Sequence, residues 1–525
     1  MVRGYHGICA IKSDHMRLVC STGLRFIAAM KNSVTRRVFL GGLASGVATA
    51  VWAEAPAVSL RPQLRGAGFH KRTAPAAKAL LDASGVRGEV GFLVADADSG
   101  LRLEGHNAAT GIPPASVAKA ITALYALDVL GPEHRFQTRL MTAGKIENGI
   151  LQGDLVLAGG ADPTLDTNAL AEMAQGLKDS GVREVRGDFL VYDGALPFVS
   201  SIDPDQPDHV GYSPAVSGIA LNFNRVHFEW RRGSNGYGVT MDARSDKYRP
   251  DVTVARMQVA DRSTPIYTYA TTGVQDQWTV AKGALGKGGA RWLPVRKPAL
   301  YAGDVFRTLA RAHGVQLKAA VTVQDAPAGR VLVTHASEPL TDVLRDMLKY
   351  STNLTAEMVG MATSAVRAGQ ITSLRASARE MNLWAQSSMG LTDIDLVDHS
   401  GLGGASSISA ADMVQALAHP KSRQGLRPLL KTIGMRDSKG RIDKNHPIKV
   451  SAKTGTLNFV SGLAGYMTAQ DGTELVFAIF AADEQTRNKI KRADRERPAG
   501  ARPWNRRAKT LQQNLIERWG LVYGS

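Results

Sequence analysis

Apolar residues recur at helical spacing directly after Pro113 and Pro114. The two prolines suit the entry to a helix, because the ring pre-sets φ and the missing N–H needs no partner there. Gly131 ends the pattern. The stretch therefore predicts a helix that begins near Ser116 and buries one face. The positions of that face are Val117, Ile121, Leu124 and Leu127.

Shorter apolar runs at both ends of the chain predict strands. Residues 89–95 and 101–104 flank a turn of Asp, Ser and Gly, which predicts a hairpin leading into the helix. Residues 463–467 and 474–482 predict a second hairpin, preceded by a strand over 450–457. The last helix has Leu511, Leu515 and Trp519 on one stripe, and we expect it to pack on this sheet.

Residues 139–330 have a different pattern. Their apolar pieces, such as residues 154–158 and 219–230, are short and are broken by Gly, Pro and Asp, which predicts a β-rich insert. Helical spacing then returns over residues 339–349. The predicted fold class is α/β (α+β), an antiparallel sheet flanked by helices and interrupted by an insert. The predicted domains are a presequence (1–53), a catalytic domain in two parts (54–138 and 331–525) and the insert domain (139–330).

Length and charge narrow the function classes. A chain of 525 residues exceeds the usual size of one domain, so at least two are expected. The net charge of +17 is compatible with nucleic acid and equally with an anionic cell envelope. The sequence has no zinc-finger spacing, RNA-binding signature or basic stripe interleaved with aromatic residues. We therefore do not expect a nucleic-acid partner.

The N-terminal region carries an export pattern. Arg36-Arg37 precedes a short, glycine-rich, mildly apolar run that ends in small residues at Val51-Trp52-Ala53, as in a twin-arginine signal with its cleavage site. The run is too short and too rich in glycine for a membrane span, so at most peripheral membrane association is expected. The sequence predicts a periplasmic protein, and a basic N-terminal arm is the alternative. Met30 is a candidate for the true start, which would place Cys9 and Cys20 upstream of it.

The start of the first helix also carries candidate chemistry. Ser116 and Lys119 are three residues apart and so share one helix face. A serine hydroxyl is a poor nucleophile until a base takes its proton, and a lysine can act as that base once burial or nearby positive charge lowers its pKa. The free N–H groups of a helix start also suit an oxyanion. Ser-x-x-Lys alone is weak, since about one or two occur by chance in a chain of this length.

Two later motifs strengthen this interpretation. Ser351-x-Asn353 falls in the short connection between two predicted helices, where polar side chains can face a cleft and where a simple capping turn is the alternative. Lys453-Thr454-Gly455-Thr456 lies on a predicted strand. Gly455 permits a peptide to approach as an added strand, and Lys453 offers positive charge to a carboxylate. A lysine that merely protects a sheet edge is the alternative for Lys453.

The three motifs, in this order and in these settings, resemble the motif set of the serine penicillin-binding proteins and β-lactamases. The separation of 235 positions from Ser116 to Ser351 resembles that of the D-alanyl-D-alanine carboxypeptidase and endopeptidase family of the penicillin-binding protein 4 type, in which an insert follows the nucleophile helix. Residues 153–165, 221–226 and 398–402 are also similar to that family. One departure is the segment 403–406, Gly-Gly-Ala-Ser, where the family tends to have Ser-Arg.

This resemblance implies a transpeptidase-like domain that performs acyl transfer on the D-Ala-D-Ala end of peptidoglycan stem peptides, with β-lactams as covalent inhibitors and without a metal or cofactor. The implied catalytic residues are the nucleophile Ser116, the base Lys119 and the proton relay Ser351. The implied substrate-binding residues are Asn353 for an amide, Lys453 with Thr454 or Thr456 for the terminal carboxylate, Gly455 along the strand, and the N–H groups of Ser116 and Thr456 for the oxyanion.

Other functions stay open from sequence alone. A β-lactamase or esterase shares the acylation machinery, and a non-enzymatic peptidoglycan-binding protein could use the same fold. Asp398-His399-Ser400 invites comparison with a catalytic triad, but three adjacent residues point in divergent directions. The sequence leaves open the balance between carboxypeptidase and endopeptidase activity, the third residue of the substrate peptide and the oligomeric state.

Overall fold

The computed structural model describes residues 74–437 and 439–524. The predicted twin-arginine presequence and both cysteines lie outside the described residues. The helices are α1 (Ala77–Ser84), α2 (Lys119–Val129), α3 (Thr167–Asp179), α4 (Pro298–Ala312), α5 (Leu340–Tyr350), α6 (Asn353–Ala368), α7 (Leu374–Met389), α8 (Ala410–Ala418), α9 (Pro420–Gly425), α10 (Glu484–Asn488) and α11 (Ala501–Val522), with short 3₁₀ turns at Ala115–Ala118, Asn222–Asn224, Lys282–Ala284, Arg427–Leu429 and Arg492–Asp494.

The strands fall into one long sheet and several smaller ones. They are β1 (Glu89–Asp96), β2 (Arg102–His106), β3 (Gly111–Ile112), β4 (Gln137–Thr142), β5 (Lys145–Glu147), β6 (Ile150–Gln152), β7 (Leu155–Ala158), β8 (Glu184–Val185), β9 (Phe189–Tyr192), β10 (Arg225–Gly233), β11 (Gly236–Asp242), β12 (Ala255–Ala260), β13 (Tyr267–Thr272), β14 (Gln275–Ala281), β15 (Gly288–Pro294), β16 (Ala320–Val323), β17 (Arg330–Ala336), β18 (Ile394–Asp395), β19 (Ser407–Ser409), β20 (Lys431–Thr432), β21 (Lys449–Leu457), β22 (Val460–Thr468) and β23 (Glu474–Ala482).

A six-stranded antiparallel sheet joins the two ends of the chain, in the order β2-β1-β23-β22-β21-β20. Its register pairs Phe92 of β1 with Ile479 of β23, so residues almost 400 positions apart are neighbours. Both hairpins predicted from apolar runs flanking a turn are present, β1 with β2 and β22 with β23. The predicted fold class is therefore confirmed.

Side chains alternate between the two faces of this sheet along each strand, and a helical layer covers each face. Phe92 and Val94 face α1 and α11, where Trp519 is fully buried. Leu93 and Ala95 face the opposite helical layer, which includes α2. Each fully buried large apolar side chain stabilises such a layer by about 1.5–3 kcal/mol. The sheet is thus a rigid support for the motif on β21.

The insert is built on a five-stranded mixed sheet in the order β16-β9-β7-β4-β17. β17 pairs with β4, so the chain enters and leaves the insert on neighbouring strands. At this point Ser337 N donates to Phe136 O at 2.8 Å, and Phe136 N donates to Ser337 Oγ at 3.0 Å. The sheet therefore extends a few residues beyond the predicted limits of 139 and 330. The segment also contains α3 and α4, so it is less purely β than its broken apolar pattern suggested.

One predicted strand is shorter than expected. The apolar run over residues 219–230 predicted continuous strand, but β10 begins only at Arg225. Asn222, Phe223 and Asn224 have φ angles of 50°, 58° and 50°, a left-handed turn that strand residues do not adopt. Asparagine tolerates this conformation better than most residues, because its short amide can bond to nearby backbone.

Candidate active site

The turn that carries Ser116 is held by glycines from two distant segments. A Cβ at Gly401 would lie 1.9 Å from Ala115 O, and one at Gly455 would lie 2.5 Å from Pro114 O and 3.0 Å from Ser116 N. Ala115 itself has a left-handed φ of 49°. The close approach of both glycines brings β21 and the 398–402 loop against the start of α2. Gly455, predicted to admit a ligand, thus has a structural role on the side that faces Ser116.

Lys119 is fully buried beside Ser116 and contacts three oxygens. Its Nζ lies 3.0 Å from Ser116 Oγ, 2.7 Å from Asn353 Oδ1 and 2.8 Å from Ser400 O. A neutral amine has two N–H bonds and one lone pair. The amide and carbonyl oxygens can accept only, so they take the two N–H bonds and leave the lone pair for the Ser116 hydroxyl.

Two buried carboxyls set the charge of this amine. Burial lowers the pKa of Lys119, while Glu357 and then Asp398 act in the opposite direction. Glu357 is itself fully buried and accepts from His399 N at 2.9 Å and Ser400 N at 3.0 Å. Burial raises the pKa of Glu357 and of Asp398. Burial and the two acids thus shift the pKa of Lys119 in opposite directions, so the amine can lose and regain a proton.

Sequence reasoning missed Glu357 and gave Asp398 no role. Glu357 is four residues after Asn353 on α6, a spacing that places both side chains on one helix face and could have identified it. Asp398 holds the loop that crosses Lys119 by accepting from Gly401 N and Gly403 N, both at 2.6 Å. These two acids act on Ser116 only through Lys119 and its supporting loop.

Ser351 and Lys453 form a second pair on the other side of the cleft. Ser351 has a left-handed φ of 60° as the residue that ends α5, which turns its side chain toward the strand. Lys453 Nζ lies 2.9 Å from Ser351 Oγ and 2.8 Å from Thr454 O. Burial lowers the pKa of Lys453 to about 6, and the positive charges of Lys119 and Lys431 act in the same direction.

Asn353 links the catalytic cleft to the insert. Its Oδ1 accepts from Lys119, and its Nδ2 donates to Tyr212 O at 2.9 Å. Tyr212 belongs to the insert and was not singled out from the sequence. Asn353 therefore orients Lys119, and its contact with a substrate amide stays a prediction.

The strand β21 leaves one edge open where the predicted substrate-binding residues lie. β20 pairs only with Ala452 and Ser451, so within the described residues no strand covers that edge from Lys453 to Leu457. Thr454 is half-buried and Thr456 is exposed. The arrangement leaves backbone groups free for an extended peptide to pair with.

The neighbouring Asp398-His399-Ser400 segment is not a catalytic triad. His399 is fully buried, its Nε2 lies 2.7 Å from Ser377 Oγ, and burial lowers its pKa to about 3. The imidazole is therefore neutral, and it bonds to Ser377 rather than to Ser400 Oγ. At Gly403-Gly404, where the sequence differs from the family pattern, the neighbouring side chain is Arg487. Its Nη2 lies 3.8 Å from the position that a Cβ on Gly404 would take.

Over residues 74–437 and 439–524, no group of three or more His, Cys, Asp or Glu side chains could hold a metal ion. In the same ranges no helix has the length and apolar character needed to cross a bilayer.

Comparison with known proteins agrees with this geometry. The chain is 25% identical over 433 residues to D-alanyl-D-alanine carboxypeptidase DacB of Haemophilus influenzae, covering 77% of this chain and 88% of that protein. It is 29% identical over 443 residues to a D-alanyl-D-alanine carboxypeptidase of Actinomadura sp., covering 76% and 79%.

Solved structures support the fold. The chain superposes on penicillin binding protein 4 (dacB) from H. influenzae with a TM-score of 0.70 at 20% identity, covering 84% of this chain and 99% of that one. The same H. influenzae protein in complex with a novel β-lactam gives a TM-score of 0.67 at 21% identity. The D-Ala-D-Ala carboxypeptidase 3 (S13) family matches residues 74–498. The resemblance seen in the three motifs is therefore confirmed, and the chain belongs to the D-Ala-D-Ala carboxypeptidase 3 (S13) family.

Proposed function

We propose that this protein is a serine-type D-Ala-D-Ala carboxypeptidase that works through an acyl-enzyme on peptidoglycan stem peptides. The observation that carries the proposal is the 3.0 Å separation of Ser116 Oγ from the buried Lys119 Nζ, whose other two neighbours are acceptors only. This geometry gives a base within hydrogen-bond reach of a nucleophile, as such catalysis requires.

Acylation begins when Lys119, as a neutral amine, takes the proton of Ser116. Ser116 Oγ attacks the carbonyl carbon between the two D-alanines, and the N–H groups of Ser116 and Thr456 stabilise the oxyanion. One such donor typically contributes about 3–4 kcal/mol to transition-state stabilisation. Ser351, bonded to Lys453 at 2.9 Å, relays the proton held by Lys119 to the leaving amine as the peptide bond breaks, which leaves Lys119 neutral. Water then hydrolyses the acyl-enzyme and regenerates Ser116. Lys119 takes a proton from the attacking water and returns it to Ser116 as the ester bond breaks.

The substrate lies along the open edge of β21 as an added strand. Its terminal carboxylate binds Lys453 with Thr454 or Thr456, and Asn353 Nδ2 turns from Tyr212 O to a substrate carbonyl. A carboxylate that arrives beside Lys453 raises the pKa of that amine, so the ion pair forms on binding.

Labelling with a fluorescent penicillin tests the proposal. We expect covalent label on wild type and none on Ser116→Ala, and we expect mass spectrometry of treated peptidoglycan fragments to show release of one D-alanine. Wild type that takes no label would contradict acyl transfer and favour a binding protein. Rapid turnover of nitrocefin without D-alanine release would favour the β-lactamase or esterase alternative.

The same assay separates two activities on peptidoglycan. Loss of a terminal D-alanine is carboxypeptidase activity, and opening of cross-linked dimers at a D-Ala to diamino acid bond is endopeptidase activity. Because no described strand covers the edge of β21 from Lys453 to Leu457, we expect cross-linked fragments to be accepted as well. We further infer export to the periplasm by the twin-arginine route, which a reporter fused to residues 1–53 tests.

A further inference from the structure

Two residues of the loop that crosses Lys119 have all four of their backbone polar groups bonded to side chains of α2 and α6. His399 N and Ser400 N donate to the two carboxyl oxygens of Glu357 at 2.9 and 3.0 Å. His399 O accepts from Thr122 Oγ1 at 2.6 Å. Ser400 O accepts from Lys119 Nζ at 2.8 Å. This pair of residues therefore bridges the helix that carries the base and the helix that carries its acid.

The imidazole of His399 is held by further contacts with α6 and α7. Its Nε2 lies 2.7 Å from Ser377 Oγ, and its Nδ1 lies 3.3 Å from Met381 Sδ. The ring also lies against Gly360, where an added Cβ would come within 2.2 Å of the ring atoms Cγ and Nδ1. A side chain at Gly360 would displace the ring, so the two helices together set the position of the imidazole.

Ser377 belongs to a chain of buried hydroxyls that returns to α2. Its Oγ donates to Ser364 Oγ at 2.8 Å, and Ser364 Oγ donates to Ser377 O at 3.0 Å. Tyr125 of α2 donates to Ser364 Oγ at 3.2 Å. A serine hydroxyl has one hydrogen, and Ser377 gives its hydrogen to Ser364, so Ser377 Oγ accepts from Nε2–H of His399. A buried network with its hydrogen bonds made in this way is rigid.

The position of the imidazole determines where the Ser400 carbonyl points. Any residue could make the backbone bonds of His399, so the ring is the part of this residue that the site specifically requires. Ser400 O takes one of the two N–H bonds of neutral Lys119. If that acceptor moves away, the N–H can turn to Ser116 Oγ and displace the lone pair that should face it. A misplacement of about 1 Å can lower the rate of catalysis about 10²-fold.

We propose that His399 is a positioning residue for acylation, and that its imidazole holds the Ser400 carbonyl against Lys119. The lone pair of that amine then stays directed at Ser116 Oγ. His399 is a neutral group because burial lowers its pKa to about 3, so its contribution is to geometry and it transfers no proton. This inference rests on the proposed function, because it takes Lys119 to be the base that activates the nucleophile.

Two replacements of His399 separate the volume of the ring from its hydrogen bond. His399→Phe keeps an aromatic ring and loses the bond to Ser377, whereas His399→Gln keeps an amide N–H₂ group that can make it. We expect kcat for D-alanine release to fall about 30- to 100-fold in the Phe variant and to stay within about fivefold of wild type in the Gln variant. KM should change less than about twofold in both, because the edge of β21 is unaltered. Rates are expressed per active site, counted from the final extent of labelling by a fluorescent penicillin.

Ser377→Ala tests the same hydrogen bond without altering the loop. We expect kcat to fall about five- to tenfold with KM unchanged, because the ring loses one of its contacts. Ser422→Ala is the matched control. Ser422 of α9 is a serine as fully buried as Ser377, and its hydroxyl donates to Ala416 O at 2.6 Å. We expect this control to unfold at a lower urea concentration than wild type and to keep the wild-type kcat.

The pH profile of acylation distinguishes positioning from simple support of the fold. The charged groups around Lys119 are Glu357 of α6, Asp398 of the loop and Lys453 of β21, and every variant retains them. Ser400 O stabilises the protonated amine more than the neutral one. Its displacement should therefore lower the pKa of Lys119 and move the acid limb of the acylation rate to lower pH, by roughly 0.5 unit or more in the Phe variant. The control variant should keep the wild-type limb.

Four results would overturn the positioning role. They are a His399→Phe variant with kcat within about twofold of wild type, a His399→Gln variant as slow as the Phe variant, an acid limb that stays in place while kcat falls, and a Ser422→Ala control as slow as Ser377→Ala. If His399→Phe does not fold, Ser377→Ala and its control decide by the same kcat and pH criteria. Where wild type is still labelled by penicillin at Ser116, these results remove the positioning role alone. Wild type that takes no label removes the proposed function instead.

Discussion

Lys119 and Lys453 are two buried lysines of one cleft, at 0% and 1% exposure, in opposite electrostatic surroundings. Lys119 has Glu357 and Asp398 nearby, and both acids oppose the fall of its pKa that burial causes. Its amine is also surrounded by three oxygens. It is a compensated base, for which gaining and losing a proton cost similar free energies.

Lys453 lacks this compensation. The charges that act on it, Lys119 and Lys431, are both positive, and its pKa falls to about 6. A pKa near 6 favours the neutral amine at neutral pH, whereas the sequence suggested positive charge for a carboxylate. The comparison shows that nearby acids decide the role of a buried lysine. With acids close by, its amine can exchange a proton, and without them its site favours binding of an anion.

Removing the compensated lysine should have the largest effect on chemistry. We expect Lys119→Met to lower the rate of acylation by a fluorescent penicillin by about 10³-fold or more, because Ser116 loses its base. Gel fluorescence against time measures it, with Ser116→Ala as the unlabelled control. A variant that acylates at more than about a tenth of the wild-type rate would mean that another group activates Ser116.

The two lysines should respond in opposite directions when stability is measured. We expect Lys453→Met to raise the free energy of unfolding at pH 7 by about 1–3 kcal/mol, because an uncompensated buried amine is removed. We expect Lys119→Met to lower it by a similar amount, since two buried acids lose their cation. Urea unfolding of the full chain measures both. A loss of stability in both variants would contradict the contrast.

The lowered pKa of Lys453 also predicts how stability depends on pH. Between about pH 6 and pH 10 the unfolded chain binds a proton on this lysine that the folded protein does not, so this group makes stability rise with pH. Lys453→Met should show a smaller rise over that window. Unfolding midpoints at several pH values test this, and an unchanged slope would show that the folded lysine keeps its ordinary pKa.

A carboxylate that binds Lys453 should bring a proton with it. Binding raises the pKa of this amine from about 6, so close to one proton should be taken up at pH 7 (~0.9). Titration calorimetry of Ser116→Ala with a D-Ala-D-Ala peptide, in buffers of different ionisation enthalpy, measures that number. Ser116→Ala/Lys453→Met is the control and should take up none. Uptake that persists in it would assign the proton to another group.

The smallest expected effect concerns Glu357. Because this acid opposes the lowering of the pKa of Lys119, Glu357→Gln should move the acid limb of the pH profile of kcat/KM to lower pH, by roughly 0.5–1 unit. Gln retains one acceptor for the N–H groups of His399 and Ser400. A shift to higher pH would show that Glu357 acts as the base itself.

Much of the central fold was predictable because local pattern and tertiary structure agree there. The apolar runs of β22 and β23, with the turn between them, and the apolar stripe of α11 were sufficient to predict the hairpin and its covering helix. The left-handed turn at Asn222–Asn224 was not predictable from the same rule. Its apolar neighbours suggested a strand, whereas its conformation depends on bonds to residues far along the chain, such as Thr167.

The candidate site divides in the same way. Ser116, Ser351 and Lys453 could be proposed from the sequence because each stands in a short motif with fixed spacing. Tyr212 contributes a backbone carbonyl, which any residue could supply, so no side-chain pattern marks it. Asp398 acts through N–H groups of its own loop, and that role becomes visible only when the loop is seen to cross Lys119.

The chain enters the insert beside Phe136 and leaves it beside Ser337, and the hydrogen bonds between these residues have a consequence for how such a protein can evolve. Since the chain leaves and re-enters the sheet domain at adjacent points, a lineage can exchange or shorten everything between them without disturbing the register of the central strands. Contacts between the insert and the rest of the protein constrain such remodelling, among them the Tyr212 carbonyl bonded to Asn353 and the ion pairs of Glu496 with His209 and Arg291. A replacement module would have to supply equivalent partners.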